Sequence, residues 1–341
     1  MNVTKNIFKY FGALLLGFTM LAVVEARVPA VVADEGEAGA AIPEGETVTF
    51  VVPFPPGGSS DLLARKIARQ ISVQQAGAVI IENRPGAGGL LGSRRVAEAR
   101  PDGRTIGLGV TGSHAISHSL YHEPPYDPAT DFEAISLVVT APLVVAVHPD
   151  IPANTIPELL DYAAQHEGEL SYSTPGVGTS MHLTGEMFGL WSDHDLVHVP
   201  YQGSGPAVND FLAGRVSLMF GDLLVLLPHI QSGDAKALAV TSAQRHPLLP
   251  ETPALNEIEG FAGFEALSWQ GVFAPKGTPQ PLVDQLNKLV VEALHEPEVQ
   301  AFFAQQGFIV KGSSPEDFQA FVTAEKEKWA NIVAQTGIEK N

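Results

Sequence analysis

Two stretches place glycines and hydroxyls directly after a β-rich run. "PFPPGGSSD" (53–61) follows "VTFVV", and about 120 residues later "STPGVGTS" (173–180) grows out of "LSYS". Each offers backbone N–H groups made approachable by glycine (Gly57, Gly58, Gly176, Gly178). Each adds hydroxyls (Ser59, Ser60, Thr179, Ser180) and then opens a helix whose N-terminal dipole favours negative charge. That combination suits an anion. Neither turn contains Lys or Arg, and the P-loop pattern G-x-x-x-x-G-K-[ST] is absent, so a single carboxylate fits better than a nucleotide polyphosphate. The rival reading is a pair of ordinary helix starts, where Ser, Thr, Asp and Gly are the favoured residues anyway. The repetition of the whole pattern argues for a shared ligand, with Asp61 capping and orienting the helix behind the first turn.

Other motifs carry less. "GLGVTG" (107–112) satisfies G-x-G-x-x-G, but Pro124 and Pro125 end any helix it could open, so it reads as a turn whose Thr111 and Ser113 border the site. "GAGGLLG" (86–92) reads as a loop entering a helix. In "WSDHDLVHVPY" (191–201), His194 and His198 are four apart, yet on a strand that separation is roughly 13 Å, too far for one ion. No metal site and no cofactor is expected. No G-x-S-x-G occurs, and "YQGSGPA" (201–207) lacks the first glycine of the nucleophile elbow. An exported hydrolase or transferase using Ser59 or Ser180 is the enzyme alternative, and it lacks an evident base beyond His182. An anion held by neutral dipoles binds reversibly and calls for no catalytic residue.

The elements that must hold these turns alternate. Short apolar runs at 48–52, 78–81, 105–110, 143–147, 170–173, 196–199, 217–220, 237–240 and 271–274 are separated by helical patterns, which predicts an α/β fold with mainly parallel sheets flanked by helices. Leu62, Leu63, Ile67 and Ile71 form one helical stripe. Leu282, Leu286, Leu289, Val290 and Leu294 form a second, and Phe318, Phe321, Val322, Trp329, Ile332 and Val333 a third. In open α/β sheets ligands lie outside the carboxyl ends of strands, so two such turns on two domains would enclose a cleft.

Length and composition bound the rest. The 341 residues suffice for about two domains, and 45% hydrophobic with 17% charged residues fits a soluble globular chain. No cysteine is present, which excludes disulfides, thiol catalysis and a lipoprotein anchor. Lys5 and Lys9 precede the apolar "YFGALLLGFTMLAVV" (10–24), and small residues follow, so residues 1–33 read as a signal peptide cut after Ala26 or Ala33. An uncleaved anchor is the rival. An acidic leader (34–46) follows. The formal charge is −18, and removing Lys5, Lys9, Arg27 and Glu25 with residues 1–33 leaves 17 basic against 37 acidic residues, or −20. Nucleic acid is thereby an unsuited partner.

Taken together, "PFPPGGSSDLLAR" (53–65), "ENRPGAGGLLG" (82–92), "DGRTIGLGVTGSHAISHSLY" (102–121), "STPGVGTSMHLTGEMF" (173–188), "VPYQGSGPAVNDFLAGRV" (199–216) and "LPHIQSGDAKALAVTSAQR" (227–245) closely resemble the Bug-type solute-binding receptors of tripartite tricarboxylate transporters. The resemblance covers nearly all of the chain after the leader. It implies a two-domain periplasmic binding protein of the Venus-flytrap kind (type II) with two hinge crossings. Such a monomer closes on a small organic carboxylate and presents it to a membrane permease; a loaded sensory partner of a membrane kinase would share the same site. The implied ligand turns are Phe54 to Asp61, Pro56 included, and Ser173 to His182, Pro175 included, with Tyr201 and Asp222 as further candidates. The implied domains are 45–142 with 267–341, and 143–266. One departure stands out: members commonly read "FDN" where this chain has Phe220, Gly221 and Asp222, which puts the role of Asp222 in doubt.

Overall fold

The computed structural model describes residues 45–341 except Ala76, Gly337, Glu339 and Asn341; the expected signal peptide and nearly all of the acidic leader lie outside these residues. The chain begins with β1 (Val48–Val52), α1 (Ser59–Gln75), β2 (Val79–Asn83), α2 (Leu90–Ala97), β3 (Thr105–Val110) and the one-turn α3 (Ser117–Leu120). These strands are parallel, β1 lying between β2 and β3. Apolar side chains decide the packing: Phe50 and Val52 meet Leu63, Ile67 and Ile71 of α1 in one buried cluster. Leu62 stands 37% exposed, so the expected stripe narrows to Leu63, Ala64, Ile67, Ala68 and Ile71.

The long strand β4 (Phe132–Val147) leads to α4 (Ile156–Gln165), β5 (Ser171–Thr174), α5 (Ser180–Ser192), β6 (Val197–Pro200), α6 (Ser204–Leu212), β7 (Leu218–Asp222), α7 (Leu223–Ser232) and β8 (Lys236–Val240). Here β5 is the central strand of a second parallel trio with β6 and β7. The chain returns through β9 (Leu267–Pro275), α8 (Gln280–His295), α9 (Pro297–Gln305), the short β10 (Ile309–Val310) and α10 (Pro315–Thr336). The sheet runs β2-β1-β3-β9-β4-β7-β5-β6, with β8 and β10 also paired to β4. Two parallel trios flanked by helices are thus joined through the antiparallel strands β9 and β4, the mixed α/β arrangement of a two-domain binding protein.

Strand β4 changes partners along its length. Pro142 still pairs with Leu267 of β9, whereas Leu143 pairs with Asp222 of β7. Thr241 ties this point to the returning chain. Its N–H donates to the Leu143 carbonyl at 2.9 Å and its Oγ1 accepts from the Leu143 N–H at 2.8 Å; the same hydroxyl donates to the Ala266 carbonyl at 2.5 Å. The sequence shows only the apolar 143–147 part of β4 because Glu133, Ser136 and Thr140 interrupt the earlier run, although Ser136 and Thr140 are buried. Among the described residues no helix is long and apolar enough to cross a membrane.

Candidate functional site

A cavity of about 430 Å³ opens between the ends of the two parallel trios. Four helix starts meet on its wall. Gly58, Ser59 and Ser60 stand at the start of α1; Thr179, Ser180 and Met181 at that of α5; Gly203 and Ser204 at that of α6; and Asp222, which precedes α7, with Val225 in its first turn. Helix geometry leaves the first amides of each without an intrahelical acceptor, the first bond of α1 being Leu62 N–H to Gly58 O at 3.1 Å. The wall contains no Lys or Arg. Its capacity for an anion therefore rests on dipoles and hydroxyls.

The first turn is held from below. Asp61 Oδ2 accepts from the Gly57 N–H and from Arg65 Nε, both at 2.9 Å, while Asn83 Nδ2 donates to Asp61 Oδ1 at 3.0 Å and to the Phe54 carbonyl at 2.9 Å. Burial pushes the Asp61 carboxyl up, but the hydrogen bonds from Arg65, Gly57 and Asn83 outweigh it and hold its pKa below the ordinary value. Asp61 stands behind the turn and outside the cavity wall. Gly57 needs its glycine for backbone reasons, at φ +88°.

The second turn is likewise self-satisfied. Thr179 caps α5 by accepting from the His182 N–H at 3.3 Å, and its hydroxyl donates to the Gly176 carbonyl at 2.8 Å. The Gly178 N–H donates to His182 Nδ1 at 3.2 Å, and the Gly176 N–H to Thr174 Oγ1 at 3.3 Å. Of the four glycine amides that looked available in the sequence, those of Gly57, Gly176 and Gly178 are thus engaged within the turns. The amides of Gly58, Ser59, Ser60, Ser180 and Met181, on the cavity wall, are left over at the starts of α1 and α5.

The structure brings together Phe54, Pro56, Gly57, Gly58, Ser59, Ser60, Pro175, Thr179, Ser180 and Asp222 of the expected set. Asp61, Thr111, Ser113, Ser173, Gly176, Gly178, His182 and Tyr201 lie off the wall. Thr111 turns away because its Oγ1 accepts the Trp269 N–H at 2.8 Å, and Ser113 because its Oγ bonds His114 Nδ1 at 2.9 Å; Val110 and Gly112 take their places on the wall. Ser173 is fully buried in β5. Tyr201 donates to Asp210 Oδ2 at 2.8 Å, outside the cavity. Sequence reasoning missed Gln202, Ser204, Asn209, His229, Ser268 and Gln270. The first two stood in the stretch "YQGSGPA", read there only as an incomplete nucleophile elbow; its place at the start of α6, after a strand, was the available signal.

Neither candidate nucleophile, Ser59 or Ser180, is hydrogen-bonded to a histidine. Ser59 Oγ donates to Asp222 Oδ2 at 3.4 Å across the two halves, and Ser180 Oγ contacts Met181 Sδ at 3.4 Å. His182 stacks on His198 with ring centroids 4.0 Å apart, and burial lowers its pKa to about 4. His198 Nε2 bonds Thr174 Oγ1 at 2.7 Å, whereas His194 Nδ1 bonds the Ser192 carbonyl at 2.6 Å, so the pair singled out in the sequence has separate surroundings. The "GLGVTG" glycines serve packing: a Cβ at Gly107 would come within 2.3 Å of Val96, and one at Gly109 within 2.3 Å of Phe273. Asp222 is 3% exposed, and burial raises its pKa to about 6 against the lowering effect of the Ser59 and Ser268 hydroxyls.

The chain's relatives share this architecture. A family model described as a tripartite tricarboxylate transporter family receptor matches residues 63–338. The UPF0065 protein of the tcbD-tcbE intergenic region of Pseudomonas sp. strain P51 is 40% identical over 294 residues, which cover 86% of this chain and 87% of that protein. The solved structure of the periplasmic binding protein BugD superposes with a TM-score of 0.82 at 39% identity, covering 88% of this chain and 100% of its own. R. palustris Rpa4515, solved with adipate, superposes with a TM-score of 0.82 at 35% identity, covering 86% of this chain and 98% of its own. With that match across the chain, the chain belongs to the tripartite tricarboxylate transporter receptor family, whose members are solute-binding receptors and not enzymes.

Proposed function

We propose that this protein captures a small organic carboxylate in the cavity and delivers it to a tripartite tricarboxylate-type membrane permease. The observation that carries the reading is the convergence of the α1, α5, α6 and α7 starts on one cavity whose wall has no Lys or Arg. The ligand carboxylate sits on the leftover amides of Ser59, Ser60, Ser180 and Met181, with the hydroxyls of Ser59, Ser60 and Ser180 beside them. Adipate bound to a 35% identical neighbour supports the ligand class. Residues 45–142 with 267–341 move as one body and 143–266 as the other, with crossings at Pro142–Leu143 and Ala266–Leu267, and ligand favours the closed arrangement. The protein acts as a periplasmic monomer after cleavage behind Ala26 or Ala33, which N-terminal sequencing of the exported protein checks. Calorimetric titration and thermal unfolding with mono-, di- and tricarboxylates, aromatic acids included, test the function. Heat and a raised melting temperature with some members of the panel are expected; silence across the whole panel would sink the reading.

A further inference from the structure

The cavity holds one charged group that an anion site does not call for. Asp222 lies on the wall, 3% exposed, with Oδ2 taking the Ser59 hydrogen bond, the Ser268 hydroxyl nearby, and Oδ1 without a partner in hydrogen-bond geometry. It occupies the N-cap of α7, where aspartate ordinarily accepts a hydrogen bond from an amide of the first helical turn, yet it makes no capping bond. Its carboxylate has therefore given up the usual structural use of its type. Gln270 on β9, also 3% exposed, lines the same cavity with its Oε1 unpartnered. Buried polar atoms are almost always paired, so two unpaired acceptors on one cavity wall point to donors that arrive with the ligand.

Charge selects the kind of donor. Asp222 is the only carboxylate on the wall and His229 the only other titratable side chain, with no Lys or Arg to offset an added negative charge. A dicarboxylate would set two negative charges against Asp222, whereas a hydroxyl would supply one donor and leave the aspartate charge unanswered. An ammonium supplies three donors and the opposite charge. We infer that the ligand is a carboxylate that also carries a protonated amine, its carboxylate on the helix-start amides and its ammonium on Asp222, with Gln270 as a second acceptor. A cation there also favours the ionised carboxylate by attraction, opposing the upward pull of burial on the Asp222 pKa.

The inference rests on the carboxylate-receptor reading and narrows it. Its test is calorimetric titration of the mature protein near neutral pH with short α- and ω-amino acids, each beside the mono- and dicarboxylate of the same length. At least one amino acid should bind roughly tenfold or more tightly than both matched acids. Asp222→Asn should weaken that amino acid by about tenfold or more while the matched dicarboxylate holds or gains. A dicarboxylate that outranks every amino acid overturns the inference and leaves the carboxylate receptor standing, as does an Asp222→Asn protein with unchanged affinity for the amino acid. Silence from all three sets overturns both. If the variant does not fold, the ranking on the unsubstituted protein decides alone.

Discussion

Asp222 links stability to pH at the scale of a single residue. Its pKa in the folded protein is about 6 against an ordinary 3.8, so the fold favours the protonated form. The stability this contributes is fully present below pH 3.8 and is lost as the pH rises through about 6. Ligand-free Asp222→Asn is accordingly expected to be more stable than the parent near pH 7.5, by about 2–3 kcal/mol, with the gap closing below pH 4. Calorimetric unfolding across pH measures it. The buried histidines act in the opposite sense. Burial lowers His182 to about 4 and His114 and His198 to about 3, so what they contribute is present above pH 6.5 and lost as the pH falls. Below pH 6 the three histidines outnumber the one aspartate, and both proteins are expected to lose stability on acidification.

At the scale of elements, two contacts carry predictions. Gly112, after β3, approaches the second turn so closely that a Cβ would lie 2.7 Å from the Gly178 carbonyl oxygen and 3.2 Å from Thr179 Cα. These are backbone atoms at the start of α5, which cannot swing aside as a side chain can. Gly112→Ala should push the two turns apart and weaken carboxylate binding by about tenfold, with a melting temperature close to the parent's; unchanged affinity would show that the approach is incidental. Glu325 of α10 takes hydrogen bonds on one oxygen from the indole N–H groups of Trp269 and Trp329, each at 3.0 Å. Glu325→Ala leaves two buried donors unpaired and should cost about 3 kcal/mol in urea unfolding, while Glu325→Gln, which keeps a carbonyl acceptor, should cost clearly less.

For the whole molecule, the question is how the two halves are joined. Thr241 binds both Leu143 and Ala266, so one side chain sits on both of the proposed crossings. Thr241→Val keeps the shape, removes the hydroxyl and leaves the Leu143 N–H without its acceptor, at a cost of about 1–3 kcal/mol. Thr241→Ser should recover most of that loss. Small-angle scattering of the parent should show the radius of gyration falling on addition of a binding carboxylate; no change would argue against closure of the proposed bodies.

The sequence by itself determined the alternation of strands and helices, the amphipathic stripes of α1, α8 and α10, and the two glycine turns, because each depends on residues near one another in the chain. It also carried the resemblance on which the family rests. Only the tertiary structure decided which face each turn presents. Gly57, Gly176 and Gly178 spend their amides inside the turns through partners such as Asp61 and His182, and Thr111 and Ser113 are drawn inward by Trp269 and His114. The encounter of Ser59 with Asp222, 163 positions apart, has no local signature, because it arises where the two halves of the sheet meet. Periodicity reports which side of an element is apolar. Which polar atom a distant residue has already claimed, and which is left for a ligand, follows only from packing.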